Sequence, residues 1–384
     1  SIQKTPFDQV VDFIVNECTE CADSLPKTYI GMLDDEFGRV TRGFARAVKA
    51  KALLYAASPL HNPTGEKAKW LKAAQAAQEL IESGDYTLDP GMKVNNTTSP
   101  EIVMVIMRSE SQSLERNNFP LRMTEGERTG MSGTYPTQEL VDAFQTAAGY
   151  DITLAADGWH TDDPDFDITR PYSGRDPRFE STILANGMIF KGLEIETFEG
   201  GADYSATRAQ KGTVTGYYLR KYLQETTSFV PENTVTNKHH WIVYRYAEAL
   251  LSYAEAANEY FGDPSSTDAN LRMTALDAIN MVRANAGMPP VAATTCEDFR
   301  KAVQREWRVE FAFEDHRFWD VRRWKIATQT QGSVSGVHIT RNGGKLEYNR
   351  VTVENRTWAE KMYLYPFPQS EVFCNNNLTQ NPGW

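Results

Sequence analysis

Residues 244–259 read YRYAEALLSYAEAANE, and this stretch sets the fold class that the sequence predicts. Alanines and tyrosines recur at the three- and four-residue spacing of one helix face. A break follows at residues 262–264, Gly-Asp-Pro, after which a second apolar pattern begins. The stretch therefore predicts a helical hairpin whose small residues allow close packing. The residues that form its apolar faces are Tyr246, Ala249, Leu250, Tyr253, Ala254, Ala257 and Tyr260, then Leu271, Ala275, Leu276, Ile279 and Val282.

A second helical hairpin is predicted nearer the N-terminus. Its first helix runs from Arg42 through Ala45, Ala47 and Ala52 to a break at residues 58–63, and its second helix carries Trp70 and ends at Gly84. Small residues at the contact positions of paired helices are typical of tetratricopeptide-type repeats, although the spacing here is looser than their 34-residue period. The predicted fold class is mainly α, a tetratricopeptide-like scaffold with a large irregular region of loops and short strands.

Three parts are predicted, packed as one compact unit. Residues 1–116 form a helical scaffold, residues 117–240 an irregular ligand-binding region, and residues 241–384 the second hairpin, a charged helical stretch and a docked tail. The middle part is rich in Gly, Thr, Asp and aromatic residues, with strand-like pieces at 182–184 and 216–219. More than a hundred residues of loop-like sequence are too many for a mere connection, so this part is predicted to carry the binding surface.

Charge and composition exclude several functions. The formal net charge of −11 argues against a nucleic-acid partner and favours a neutral ligand. The longest apolar run, residues 102–107, has the length of one buried strand rather than of a membrane-spanning helix. Cys18 and Cys21 lie in an amphipathic helical pattern without a second C-x-x-C, so packed thiols are favoured over a local disulfide or a metal site.

The densest charged cluster lies at residues 305–324. Glu306, Glu310 and Glu314 recur at four-residue spacing, with Arg317 and Arg323 following as possible partners. This cluster has two possible interpretations: an ion-pair lattice, which we favour, or the acid/base pair of a glycoside hydrolase. Motifs for nucleotide binding, a serine nucleophile elbow and a zinc protease are absent from the sequence.

Residues 158–167 offer two kinds of ligand group. Asp162, Asp165 and Asp167 supply oxygen atoms suited to calcium, although the spacing is not that of an EF-hand, so we regard them as weak candidates for a structural calcium site. No other cofactor is predicted. Trp159 is a candidate platform for a sugar ring, because an aromatic face stacks on the C–H face of a pyranose. Core packing is the alternative for this side chain.

Several stretches together resemble the SusD/RagB family of nutrient-uptake lipoproteins. Residues 244–259 are similar to the family's R-x-A-E-x-x-L-x-Y-A-E-A helix. Residues 306–323 are similar to its E-R-R-x-E-x-x-x-E-G-x-R-x-x-D-x-x-R block, with Asp315 in place of the usual Gly. Residues 365–371 and 378–384 match the family's C-terminus, and residues 136–141, 176–179 and 279–283 fit as well.

This resemblance implies a non-catalytic protein of the outer-membrane cell surface. It implies capture of oligosaccharides for a TonB-dependent, SusC-like transporter, with a peptide ligand as the alternative from the RagB branch. Membrane attachment is implied only through an N-terminal lipid anchor absent from this chain, which on this reading starts within the family's helical N-terminal portion. The candidate ligand-binding residues of the irregular region are Trp159, His160, Phe198, Tyr204, Tyr217 and Phe229.

Overall fold

The computed structural model describes residues 3–29, 37–90, 99–124, 133–205 and 212–384. Helices dominate these ranges, as predicted. They are α1 Phe7–Ala22, α2 Arg42–Ala57, α3 Lys67–Ile81, α4 Ser113–Asn118, α5 Gln138–Val141, α6 Pro177–Thr182, α7 Tyr246–Phe261, α8 Ala275–Asn285, α9 Cys296–Glu310, α10 Arg317–Arg323, α11 Ala327–Thr330 and α12 Gln369–Cys374.

The strands are short except for the last two. They are β1 Ile102–Ile106, β2 Glu110–Ser111, β3 Ile152–Ala155, β4 Gly158–Thr161, β5 Ile183–Leu184, β6 Ile189–Phe190, β7 Leu193–Glu194, β8 Tyr218–Leu219, β9 Asn237–Lys238, β10 Trp241–Arg245, β11 Ser333–Asn342 and β12 Lys345–Asn355. They pair as antiparallel two-stranded sheets, β1 with β10, β2 with β9, β3 with β4, β5 with β8, β6 with β7 and β11 with β12.

Both predicted helical hairpins are confirmed, and they share one core. Helices α2 and α3 form the first hairpin, and α7 and α8 the second, with α3 lying directly against α7. The alanines at the contacts are almost inaccessible to solvent, so the helix backbones approach closely. Tyr253 is fully buried, and its hydroxyl donates to the carbonyl of Met273 at 2.5 Å. Gly262 ends α7 in the left-handed conformation, with φ of 78°, which glycine adopts without steric cost.

The charged stretch after residue 296 was predicted as one helix, and that prediction is wrong. Helix α9 ends at Glu310 and α10 begins at Arg317. Phe313 and Asp315 in the connection have φ of 64° and 62°, outside the right-handed helical region. Aspartate tolerates the left-handed conformation better than most residues, which is consistent with Asp315 at this position.

The predicted ion-pair lattice is present, but with other basic partners. Arg323 pairs with Glu255 and Asp320 instead, and the lattice carboxylates are met by groups from other elements. We call the following set the ion lattice: Glu306, Glu310 and Glu314 with Arg178, Arg245, Arg283 and Lys221.

Arg245, at the end of β10, lies at the centre of the ion lattice. Its Nη1 lies 2.6 Å from a carboxylate oxygen of Glu101 and 2.6 Å from one of Glu310. Its Nε lies 2.9 Å from a carboxylate oxygen of Glu314. The guanidinium is buried, so each of these contacts satisfies a charge that water does not reach.

The long hairpin of β11 and β12 was not predicted. Val337 and Ile339 of β11 enter a core shared with Val141, Phe144 and other residues of the irregular region. Val309 of α9 belongs to the same core, which therefore joins the irregular region, the helical scaffold and the hairpin. The residues 342–344, Asn-Gly-Gly, form the turn, a composition typical of hairpins.

The C-terminal tail contacts the helical body at Tyr365, whose ring centroid lies 6.1 Å from that of Trp319 in α10. The indole Nε1 of Trp384 donates to the carbonyls of Lys361 and Leu364, each at 3.0 Å. At the other end of the chain, α1 contains both cysteines of the C-x-x-C, as free thiols, with Cys18 half-buried and Cys21 exposed. The packed-thiol interpretation therefore does not hold for Cys21. No helix in the described ranges is both long and apolar enough to span a membrane.

Substituting Arg245 tests the ion lattice. We expect Arg245→Ala to lower the free energy of unfolding by about 3–5 kcal/mol, because it leaves buried carboxylates without their counterion. Arg272→Ala is the matched control, since Arg272 pairs with Glu82 on the surface and its loss should cost about 1 kcal/mol or less. Urea unfolding measures both; equal small losses would contradict a structural role for the ion lattice.

Candidate functional site

Trp159 lies in the core, so the prediction of an exposed platform there is wrong. Its side chain is 7% exposed, on β4. Tyr172 packs edge-on against the indole, with ring centroids 5.8 Å apart, and the guanidinium of Arg175 lies 5.7 Å from the ring. Strand β4 turns this residue inward because the opposite face of the strand meets solvent.

Tyr217 and Phe229 are buried as well. The hydroxyl of Tyr217 donates to the side-chain carbonyl of Gln138 at 2.6 Å, and no part of the residue reaches solvent. Phe229 packs edge-on against Phe119, with ring centroids 5.8 Å apart. Neither ring has a free face for a sugar, and both instead anchor the irregular region.

His160 is exposed, next to Trp159 along β4. Its Nε2 lies 2.7 Å from a carboxylate oxygen of Asp157, three residues earlier. The contact is local and brings no second aromatic ring to His160, so the structure does not join this residue to the other exposed candidates.

The aspartates of the 158–167 segment form local turns. The carboxylate of Asp167 accepts from the backbone N–H and the hydroxyl of Thr169, at 3.0 and 2.6 Å. Asp163 accepts from the backbone N–H of Asp165. Within the described ranges, no three His, Cys, Asp or Glu side chains, Asp162 included, are grouped so as to hold a metal ion.

Phe198 and Tyr204 are brought together along the edge of β11. The backbone N–H of Glu199 donates to the carbonyl of Ile339 at 2.7 Å, which places residues 198–199 alongside the strand. The guanidinium of Arg341 covers Phe198, 3.8 Å from its ring centroid. Tyr204 lies beside His338, with ring centroids 6.1 Å apart. Phe198 is thus on the core side of β11, whereas Tyr204 lies on the outward side, next to His338.

Side chains of the hairpin alternate between core and solvent. Val337 and Ile339 point inward, so His338 and Thr340 between them point outward. Their direct cross-strand partners share their face. We define the outer hairpin face as these four side chains: His338 opposite Asn349, and Thr340 opposite Glu347.

A cavity of about 190 Å³ opens at the inner end of the outer hairpin face. Two glycines make it possible. A Cβ at Gly216 would lie 2.5 Å from the carbonyl oxygen of Val337, and one at Gly336 would lie 2.6 Å from the Cα of Thr215, so only glycine allows the two backbones to approach. The residues that line the cavity include Thr197, Tyr204, Thr213, Gly216, His338 and Val351.

The chemistry of this surface suits a neutral, hydroxyl-rich ligand. Tyr204 supplies an aromatic ring, and Thr340 and Asn349 supply hydroxyl and amide groups. Glu347 and Glu199 supply carboxylates that accept hydrogen bonds, the latter 3.4 Å from His338. The same carboxylates disfavour an anionic ligand, because like charges repel.

A larger cavity, of about 590 Å³, lies between α1, α2 and β10. Its wall is mostly aliphatic and aromatic, with Phe7, Val10, Val48 and Trp241 among its residues. Polar groups in this wall, such as those of Lys51 and Asp315, are few beside its apolar area, and sugar hydroxyl groups left without hydrogen-bond partners are costly on binding. The smaller cavity is therefore the better glycan site.

The Glu306, Glu310 and Glu314 cluster does not have the electrostatics of an acid/base pair. Burial alone would raise the pKa of Glu310, but Arg245 and Arg178 together lower it to about 2. A carboxylate held this firmly in its ionised form does not act as a general acid near neutral pH. Its oxygens are also occupied by the two guanidinium groups.

The sequence profile of the SusD family matches residues 94–384, well over half of the chain, and the protein belongs to this family. The SusD-like protein P2 of Formosa agariphila is 22% identical over 394 residues, which cover 100% of this chain and 66% of that protein. The chain thus spans about two thirds of the length of that curated relative.

Two solved structures from Bacteroides fragilis are similar throughout the chain. A SusD-like protein superposes with a TM-score of 0.76 and 29% identity, covering 100% of this chain and 72% of the other. A SusD-like carbohydrate binding protein superposes with a TM-score of 0.74 and 26% identity, covering 99% of this chain and 72% of the other. These similarities confirm the family that the motifs indicate and the tetratricopeptide-like helical fold.

The pH dependence of stability tests the state of Glu310. Because folding lowers its pKa, its stabilising contribution is present above the unfolded-state pKa of about 4.5 and is lost as the pH falls towards about 2. We expect Glu310→Gln to lower the free energy of unfolding at pH 7 by on the order of 3 kcal/mol, and by less at pH 3.

Glu297→Gln is the control, because Glu297 lies on the same helix with a side chain that is 72% exposed. Urea unfolding of the wild type and both variants at the two pH values gives the comparison. If Glu310→Gln lowers the free energy of unfolding by the same amount at both pH values, the loss of stability is not electrostatic.

Proposed function

We propose that the protein binds neutral oligosaccharides or polysaccharides without chemically changing them. The observation that supports this proposal best is the position of Tyr204, which lies beside His338 at a cavity of about 190 Å³ bordered by polar side chains. An aromatic ring for stacking, next to hydroxyl, amide and carboxylate groups, is the combination that pyranose recognition requires. The description of a similar solved structure as a carbohydrate binding protein supports the same ligand class.

We further propose that the bound glycan is delivered to a TonB-dependent, SusC-like transporter of the outer membrane, where the protein is exposed at the cell surface. Membership of the SusD family supports this role. Affinity purification of the protein from detergent-solubilised membranes should recover such a transporter in stoichiometric amount. Recovery of the protein alone, under conditions that keep other outer-membrane complexes intact, would contradict the partnership.

A peptide ligand is the second candidate. Strand β12 pairs with β11 on one side only, and within the described part of the chain no further strand pairs with its other edge. An extended peptide adds to such an edge through backbone hydrogen bonds. This mode does not involve the ring of Tyr204, which separates the two candidates experimentally.

Removing the ring of Tyr204 tests the proposed glycan site. We expect Tyr204→Ala to weaken binding by at least about tenfold, because stacking on the sugar is lost. Calorimetry against a panel of neutral oligosaccharides measures the change. Tyr150→Ala is the matched control, since Tyr150 is 42% exposed elsewhere on the surface.

Trp159→Ala gives the contrasting case. Because the indole is buried, its removal should lower the free energy of unfolding by about 3–5 kcal/mol rather than remove a sugar-binding platform.

Saturable glycan binding that Tyr204→Ala leaves unchanged would place the site elsewhere. Binding of extended peptides and of no glycan would favour the second candidate.

A further inference from the structure

The outer hairpin face continues beyond the Tyr204 cavity as a row of polar side chains. At the cavity Gly336 pairs with Val351; then follow the pairs His338 with Asn349 and Thr340 with Glu347. Outward positions on one strand recur every ~6.8 Å, about the length of one sugar ring, and the seven residues from 336 to 342 provide about four such positions over ~20 Å. The row is therefore long enough for roughly four sugar units in an extended chain.

The polar side chains of this row are available to a ligand. Glu347 and Asn349 are exposed and Thr340 is half-buried. In the part of the chain that the structure describes, no side-chain hydrogen bond or ion pair engages any of the three. By contrast Arg350, which follows Asn349 on β12, is turned to the core side, where it pairs with Asp142 and Glu139. The alternation of side chains along β12 thus gives one face that packs against the protein and one face that is open to a ligand.

The far end of the row is open. Gly343 and Gly344 form the turn, and a Cβ built on either of them meets no atom of the described residues within 4 Å. A chain that lies along the face can therefore run past the turn into solvent. The surface fits an internal stretch of a polysaccharide as well as an oligosaccharide end.

The charges of the face select against acidic sugars. Glu347 lies in the row and Glu199 lies beside His338 at its inner end. The guanidinium of Arg341 is on the opposite side of the strand, over Phe198, whereas Lys345, opposite Asn342, places one ammonium group at the turn end of the face against the two carboxylates. Carboxylates accept hydrogen bonds from sugar hydroxyls but repel uronates and sulfate esters.

We propose that the outer hairpin face binds a linear, uncharged glycan along its length, over about three to four sugar units, with the Tyr204 cavity as the inner subsite. This inference rests on the proposed glycan-binding function and adds the shape, length and charge of the ligand. Tyr204 supplies the stacking contact, whereas Glu347 and Asn349 hold units further along the chain.

Chain-length dependence tests the inference. Calorimetry uses glucose, xylose and mannose oligosaccharides of two to six units. For the series that binds, the dissociation constant should fall about tenfold or more from two to four units and change little beyond that. The double variant Glu347→Ala/Asn349→Ala should bring the four-unit affinity to within about threefold of the two-unit value. Polygalacturonate should bind more weakly than its methyl ester.

Two further variants keep the test interpretable. Glu347→Gln retains hydrogen-bonding groups and should bind the four-unit sugar within about threefold of the wild type. Glu180→Ala removes an exposed carboxylate from α6, away from the hairpin, and thermal unfolding checks that each variant is folded.

The outcomes separate this inference from the proposed function. Equal affinity for two and six units, unchanged four-unit binding in the folded double variant, or tighter binding of polygalacturonate than of its ester would each overturn the extended neutral-chain site. In those cases glycan binding itself would stand. If the wild type binds none of these sugars, this inference fails, and if extended peptides bind instead, the proposed function fails as well.

Discussion

The structure depends on the ion pairs that neutralise the buried carboxylates in and after helix α9. Glu306, Glu310 and Glu314 are largely withdrawn from water, and each requires a cation within hydrogen-bond distance. Arg178 comes from the irregular region and Arg245 from the strand that leads into α7. Because an incomplete buried ion lattice is strongly unfavourable, the irregular region and the helical scaffold have to assemble in one relative arrangement.

The second constraint is close backbone packing, which recurs at two scales. Alanines at the contacts of α2, α3 and α7 bring helices together and form the scaffold. Gly216 and Gly336 bring a loop of the irregular region against β11, where any side chain would collide. The same approach of backbones opens the cavity beside Tyr204, so the candidate site results from how the irregular region is docked.

These two constraints explain why, in our proposal, one part of the molecule provides rigidity and another part binds the ligand. The helical scaffold, the ion lattice and the shared core provide rigidity, and they use most of the large aromatic side chains of the irregular region. The candidate binding surface is made mainly of small polar side chains on an exposed hairpin, with one tyrosine. A surface of this kind offers many hydrogen bonds and little apolar area, which suits reversible capture of a hydrated ligand.

The sequence by itself determined the helical hairpins, the strand-like stretches near residues 102–106 and 183–184, and the family, because these depend on local periodicity and on motifs of adjacent residues. It also indicated that the charged cluster is structural.

Three features were determined only by the tertiary structure. The arginines that meet Glu310 are distant along the chain, so only the folded arrangement selects Arg178 and Arg245 over the nearer Arg317 and Arg323. The rings of Trp159, Tyr217 and Tyr204 look equivalent in sequence, and whether each faces core or solvent depends on what packs against its strand or loop. The outer hairpin face could have been suspected from the Asn-Gly-Gly turn at 342–344, but which side of β11 meets water is decided by the shared core into which Val337 and Ile339 insert.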